Sequence, residues 1–335
     1  MTYKFKRSRE AGMVALLATV FTTGYAFAQD TFTMRLAHHL PLTHVHGIAA
    51  TKFADAVAEN SGGRIKVNVY AAESLLTGRE MLGAVSNGTV ETGVVSAAFH
   101  TGTMPQLNAY LLPFLFDDAA HFHRAVDNGL FDIVQELYEE QNVHMLSYYN
   151  KGETDVFDAD EVMLTPEAFV GKNLRGIGGY MTRALGMFGA SAVTLPVGEV
   201  NSALERGVVS GVATSCESTI NRGWSEVADH MTVIRLSQSG EGIGVNMDWW
   251  NSLPEDLQTV LTDAATDAAD FAWATMEETD TVTCPAKWKE LGYEAGVVTP
   301  EEKKAFRAKV QDLYAEAEKE LPVYDRVMEI VEATR

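Results

Sequence analysis

Four groups of side chains in this 335-residue chain are typed and spaced so that they could do chemistry. The first is Arg175 in NLRGIGGY (173–180), a single arginine set directly before glycines. A guanidinium is a planar fork that stays charged at any working pH and meets a carboxylate with two parallel hydrogen bonds. Read instead as a dinucleotide loop, the stretch needs G-x-G-x-x-G opening a helix. Gly176 and Gly178 fit, but the third place is Met181, so that reading is weakened even though Glu199 stands where a ribose-binding acid is expected. The second group is His38, His39, His44 and His46, and clustered imidazoles are the raw material of zinc sites. No acid or cysteine completes a ligand spacing around them, which leaves turn and capping roles for His44 and His46.

The third group is the acid pair Glu153 and Asp155, placed beside a turn expected at Lys151-Gly152 and read as a solvated edge. GVVSG (207–211) is G-x-x-S-G, not the nucleophile elbow G-x-S-x-G, and no histidine follows it in a catalytic setting. No enzyme activity and no cofactor are expected. The fourth group is Cys216 and Cys284, which lack metal-site spacing; the sequence leaves open whether they pair.

The elements that must hold these groups alternate. FTMRLAHHLP starts as a strand and leads into the histidines. Ile48, Ala49, Phe53, Ala54 and Val57 recur at helical spacing, and Ile65, Val67 and Val69 alternate as in a strand. A helix over REMLGAVSNG and a strand over VETGVVS follow, then a helical segment from about 118 to 141 and the strand VHMLSYY. Thr165-Pro166 opens a short helix before the strand that carries Arg175, and helix–strand–helix–strand continues to GVATS. This is α/β layering in two units, the second over about 155–240. From Leu253-Pro254 apolar residues keep helical spacing to about Thr283, a helix about 45 Å long that could bridge two domains and that Pro285 should break or kink.

The first residues combine Lys4, Lys6, Arg7 and Arg9, the apolar run MVALLATVFTTGYAFA and Ala26-Phe27-Ala28, the pattern of a signal peptide over residues 1–28. The run is shorter than the ~20 residues of a membrane span. Loss of those four bases and Glu10 takes the net charge from −20 to −23. Such a chain repels phosphate backbones and anionic bilayers, which argues against nucleic-acid binding and against stable membrane insertion. The expected location is the periplasm.

The ordered set RLAHHLPLTHVH, FADAVAENSGGRIKVNVY, LPFLFDDAAHFHRAV, TPEAFVGKNLRG, LPVGEVNSALERGVVSG and WWNSLPEDLQTVL resembles the substrate-binding proteins of TRAP transporters, the DctP family. The resemblance implies a two-domain periplasmic binding protein fold with hinge strands and a long bridging helix. Domain I would hold 29–153 with about 241–270, domain II 154–240 with about 285–335, and the bridging helix 254–283. It implies a monomer that closes on a small organic acid and passes it to the TRAP membrane permease. Arg175 matches the arginine that grips the ligand carboxylate, with Gly176, Gly178 and Gly179 allowing close approach. Alignment adds His39, Ser96, Phe99, Asn150, Thr154, Val197 and Thr214 as ligand contacts. With Phe99 and Thr154 where relatives can carry arginine, the site is expected to hold one strong cation and to prefer a monocarboxylate with an apolar or hydroxylated part. The competing expectation is a zinc receptor built on His38, His39, His44 and His46.

Overall fold

The computed structural model describes residues 1–2 and 30–335, so the leader reading of residues 1–28 lies almost entirely outside the described residues. Residues 31–335 form one compact unit. The chain runs β1 (Phe32–Ala37), α1 (Val45–Asn60), β2 (Ile65–Tyr70), α2 (Met81–Ser86), β3 (Thr92–Ser96) and α3 (Ala97–His100). It continues through α4 (Ala119–Ala125), α5 (Phe131–Glu139), β4 (Val143–Met145), β5 (Tyr149–Glu153), β6 (Asp155–Asp158) and β7 (Asn173–Gly176). Next come α6 (Gly179–Phe188), β8 (Ser191–Thr194), α7 (Val197–Glu205), β9 (Gly211–Thr214), α8 (Cys216–Asn221), β10 (His230–Val233) and β11 (Gln238–Asn246). The last stretch holds α9 (Met247–Ser252), α10 (Glu255–Glu278), α11 (Cys284–Glu290), β12 (Glu294–Val297), α12 (Pro300–Lys309), α13 (Gln311–Glu320) and α14 (Tyr324–Ala333).

Two mixed sheets result, as expected of an α/β chain with two units. The first has the order β2-β1-β3-β11-β4, with β5 also paired to β11; the second is β12-β10-β6-β9-β7-β8. β1, β2 and β3 are parallel, and β11 returns antiparallel to β3. Two segments pass between the sheets side by side, bonded to each other through Thr154 N–H to Ser237 O and Leu236 N–H to Thr154 O. Lys151-Gly152, expected as a turn, lies inside β5. Gly152 takes φ +103°, opposite the irregular register at Gln238–Gly240, and a side chain there would press on Ser215 and Met276.

The segment read as one helix from 118 to 141 is broken. Asn128 and Gly129 leave helical geometry, Gly129 at φ +118°, a conformation glycine adopts without the Cβ clash of other residues. α10 begins beside Pro254 and lays Leu261, Ala264, Ala265, Ala268 and Ala272 inward, and the four alanines let it pack closely on α1 and β5. It passes through a π-turn at Thr279–Thr283 directly into α11, and Pro285, which has no N–H to give to the preceding turn, follows that irregularity. Cys216 and Cys284 pair, tying α8 to α11. α14, grouped by sequence with the second unit, packs on α4 instead. Its carbonyls hold that contact: His121 Nε2 lies 2.9 Å from Val331 O, and Arg124 Nε donates to Thr334 O.

Candidate functional site

Arg175 sits on β7, with β8 and β9 bonded on either side of it. Its side chain is 2% exposed. The guanidinium donates to Leu195 O from Nε at 3.3 Å and from Nη2 at 3.2 Å, and lies 5.7 Å from the centre of the Trp224 ring. No carboxylate reaches ion-pair distance of it among the described residues. Burial, followed by the charges of Arg222 and Arg79, lowers its pKa to about 9, with Glu73 opposing. A buried cation without a counter-ion is costly, and a ligand anion is the group that would offset it.

The sequence reading counted one cation here, and the structure corrects that. Arg222, just beyond α8, donates to His39 O at 3.0 Å and lies 5.5 Å from the centre of the same indole. Lys151, 5% exposed on β5, makes no ion pair or hydrogen bond among the described residues; burial lowers it to about 8 against the pull of Glu241 and Glu217. Both cations escaped notice for local reasons. Lys151 looked like part of a turn, and Arg222 belongs to no motif.

The histidines find acids that no local spacing could reveal. His46 Nδ1 is 2.6 Å from Glu241 Oε1, and His39 Nε2 is 3.6 Å from Glu241 Oε2. His44 caps α1 by accepting from His46 N–H, while its Nε2 lies 3.3 Å from Ser218 Oγ and from Glu217 Oε2. The capping role expected of His44 is therefore present, and His46 instead holds Glu241. Burial lowers His38 to about 4 and takes His39 and His44 well below the ordinary imidazole value. Burial pushes Glu241 the other way, but His39, His46 and Lys151 outweigh it and hold the carboxyl below the usual range. No group of three or more His, Cys, Asp or Glu side chains with metal-holding geometry occurs among the described residues.

The remaining predicted residues divide. Ser96 ends β3, buried, with Oγ unpartnered. Phe99, in α3, meets the edge of His39 at 5.0 Å between ring centres, and Gly78 is the residue whose missing side chain leaves room for it. Thr214 ends β9 opposite Asp155, and Val197 starts α7, partly buried. Asn150 is turned away: strand alternation that aims Tyr149 at His46 (4.8 Å) sends Asn150 to a separate cavity of about 200 Å³ beside His123 and Trp273. Thr154 lies in the crossing between the sheets, where its backbone is engaged by Ser237 and Leu236. The glycines after Arg175 do admit a close approach, but to the first lobe. A Cβ on Gly179 (φ +54°) would strike Asn108 and Thr101, one on Gly178 would lie 3.1 Å from Ala98 O, and Tyr180 N–H donates to Asn108 Oδ1.

Two α/β sheets joined by crossing strands, with a buried cation that meets no carboxylate among the described residues, define the class: a two-lobed solute-binding protein. Residues 36–320 match the model of the bacterial extracellular solute-binding protein family 7, DctP, and the chain belongs to that family, the solute-binding proteins of TRAP transporters. It is 27% identical over 291 residues to the 2,3-diketo-L-gulonate-binding periplasmic protein YiaO of Escherichia coli, covering 85% of this chain and 86% of that one. It is 24% identical over 245 residues to the C4-dicarboxylate-binding periplasmic protein DctP of Rhodobacter capsulatus, 72% and 73% of the two chains. A TRAP periplasmic solute-binding protein of Chromohalobacter salexigens, solved with bound D-glucuronate, shares the fold with a TM-score of 0.85, 24% identity, and coverage of 90% of this chain and all of that one. Among the described residues no helix is long and apolar enough to cross a membrane.

Proposed function

We propose that this protein is a TRAP receptor in the periplasm, exported by the leader over residues 1–28, that binds a small organic acid through one carboxylate and hands it to the membrane permease as a monomer. The observation that carries the reading is Arg175, a guanidinium 2% exposed with a backbone carbonyl as its one hydrogen-bond acceptor among the described residues. A carboxylate meeting the remaining guanidinium donors would form the two-pronged pair that the fork geometry favours. Ligand binding would also close the lobes. Desolvating Arg175, Arg222 and Lys151 together favours an open cleft when no anion is present, so the ligand shifts the equilibrium by supplying the missing charge. The relatives named for diketogulonate and dicarboxylates and the neighbour holding glucuronate support an acid as the cargo. A single carboxylate with a hydroxylated or apolar remainder is the form we assign.

Thermal unfolding against a panel of gluconate, glucuronate, lactate, succinate, neutral sugars and zinc tests the reading. A ligand at 100 times its Kd adds about 2.7 kcal/mol to the folded state. A shift with monocarboxylates, absent in Arg175→Ala, is expected. A shift with zinc alone would transfer the function to the histidines and overturn the proposal.

A further inference from the structure

On the first sheet, opposite the arginine lobe, stands a row of buried polar side chains that the described residues leave only partly satisfied. Glu241 on β11 is registered opposite Ser96 on β3 and opposite Tyr149 on β5, and directly paired residues share a face. All three are almost fully buried, yet Glu241 Oε2, Ser96 Oγ and Tyr149 Oη have no hydrogen-bond partner among the described residues, nor has either ring nitrogen of His39. Lys151, two residues along β5 from Tyr149, brings an unpaired ammonium to the same face. Buried polar atoms are satisfied in folded proteins as a rule, so a cluster of orphans converging on one place marks where a ligand supplies the partners.

We propose that Glu241, fixed by His46 and charge-balanced by Lys151, is the specificity element of the cleft: it accepts a hydroxyl of the bound acid and rejects a second carboxylate. The proposal rests on the receptor reading above and refines it. His46 holds Oε1 at 2.6 Å and leaves Oε2 without a hydrogen bond, 3.6 Å from His39 Nε2. A ligand hydroxyl donates to that oxygen while its own oxygen accepts from Lys151, so donor and acceptor are both used. A carboxylate in the same place offers no proton and would lie buried against a like charge, the arrangement that selects by repulsion. Glu241 offsets the Lys151 charge through space, without an ion pair between them, and so weakens the pull of that face on a second carboxylate, whereas Arg175 has no carboxylate at ion-pair distance among the described residues. The ligand class that fits is a polyhydroxylated monocarboxylate, carboxylate on Arg175 and hydroxyls on Glu241 and Lys151.

Calorimetric titration of the purified protein with gluconate, glucuronate, butyrate and succinate tests this, using Glu241→Gln, Lys151→Gln and Arg175→Ala. The wild type should bind a hydroxylated monocarboxylate at least about a hundredfold more tightly than succinate or butyrate, the value of one to two charge-assisted hydrogen bonds. Glu241→Gln should weaken the hydroxy acid about tenfold and strengthen succinate, while Lys151→Gln should weaken the hydroxy acid and weaken succinate further. A merely structural role would move both ligands the same way and by the same factor, so the opposite signs in Glu241→Gln and the changed ratio in Lys151→Gln keep the test informative if either variant is poorly folded. Preference of the wild type for succinate, or an unchanged ratio in Glu241→Gln while Arg175→Ala abolishes binding, overturns this inference and leaves the receptor reading standing. Acid binding that ignores Arg175 overturns both.

Discussion

Replacing Arg175 by alanine should separate recognition from folding. In this structure the guanidinium is bonded to Leu195 O alone among the described residues, and burial with Arg222 and Arg79 lowers its pKa well below the ordinary guanidinium value, to about 9. At about 1.36 kcal/mol per unit, holding the charge there costs on the order of 5 kcal/mol without a ligand. Truncation removes that cost but leaves a cavity and an unpaired carbonyl, together roughly 3 kcal/mol. Opening of the cleft relieves most of that cost when no ligand is bound, so the ligand-free variant should unfold close to the wild-type temperature. Binding should fall sharply. A carboxylate stripped of two charge-assisted hydrogen bonds and stranded in the cleft loses about 3 kcal/mol or more, roughly 150-fold in Kd. Arg175→Lys keeps the charge but not the fork, and should fall between the two. Titration calorimetry gives the affinities, and melting without ligand gives the stabilities. Unchanged affinity, or a ligand-free variant that melts well below the wild type, would refute the assignment of Arg175 as anchor.

Three further outcomes follow from single features. The Cys216–Cys284 bridge spans 68 residues, so reduction, or Cys216→Ser with Cys284→Ser, should cost about 4 kcal/mol and lower the unfolding midpoint; an unmoved midpoint with reductant would show that the bridge adds nothing to stability. Asp155, 6% exposed and accepting from Ile234 and Arg235 N–H, is raised by burial and Glu153 from 3.8 to about 7. The fold therefore binds a proton that the unfolded chain releases, so this group's contribution is full below pH 3.8 and lost as pH rises through 7, at most about 4 kcal/mol. Asp155→Asn should remove that decline, and parallel stability–pH curves for the variant and the wild type would refute it. Gly179→Ala places a methyl against Asn108 and Thr101 at φ +54° and should block lobe closure, weakening binding at least about tenfold with little loss of stability; wild-type affinity would show that closure does not use this contact.

What could be read from the chain in advance was what is encoded locally. Arg175 is visible because a strand end, a charge and three glycines are neighbours, and the strand–helix alternation is visible because each period fits in a short window. β5 gave no such signal: all five of its residues are buried, so the two-residue alternation that marks a half-exposed strand is erased, and Lys-Gly within it imitates a turn. The glycines after Arg175 mark places for close approach, but a missing Cβ does not say what it would have struck: Thr182 of α6 for Gly176, and the other lobe for Gly178 and Gly179. Glu241 stands 195 residues from His46 and Glu217 stands 172 from Val45, so the acids that complete the histidines are absent from any spacing pattern. The division is physical. An anchor can be built from one strand and the turn that follows it, whereas discrimination between acids needs groups converging from strands that close the cleft. Lys151 and Glu241 arrive on two such strands, which is why a reading limited to neighbours found the carboxylate's partner and undercounted the charges that judge the rest of the ligand.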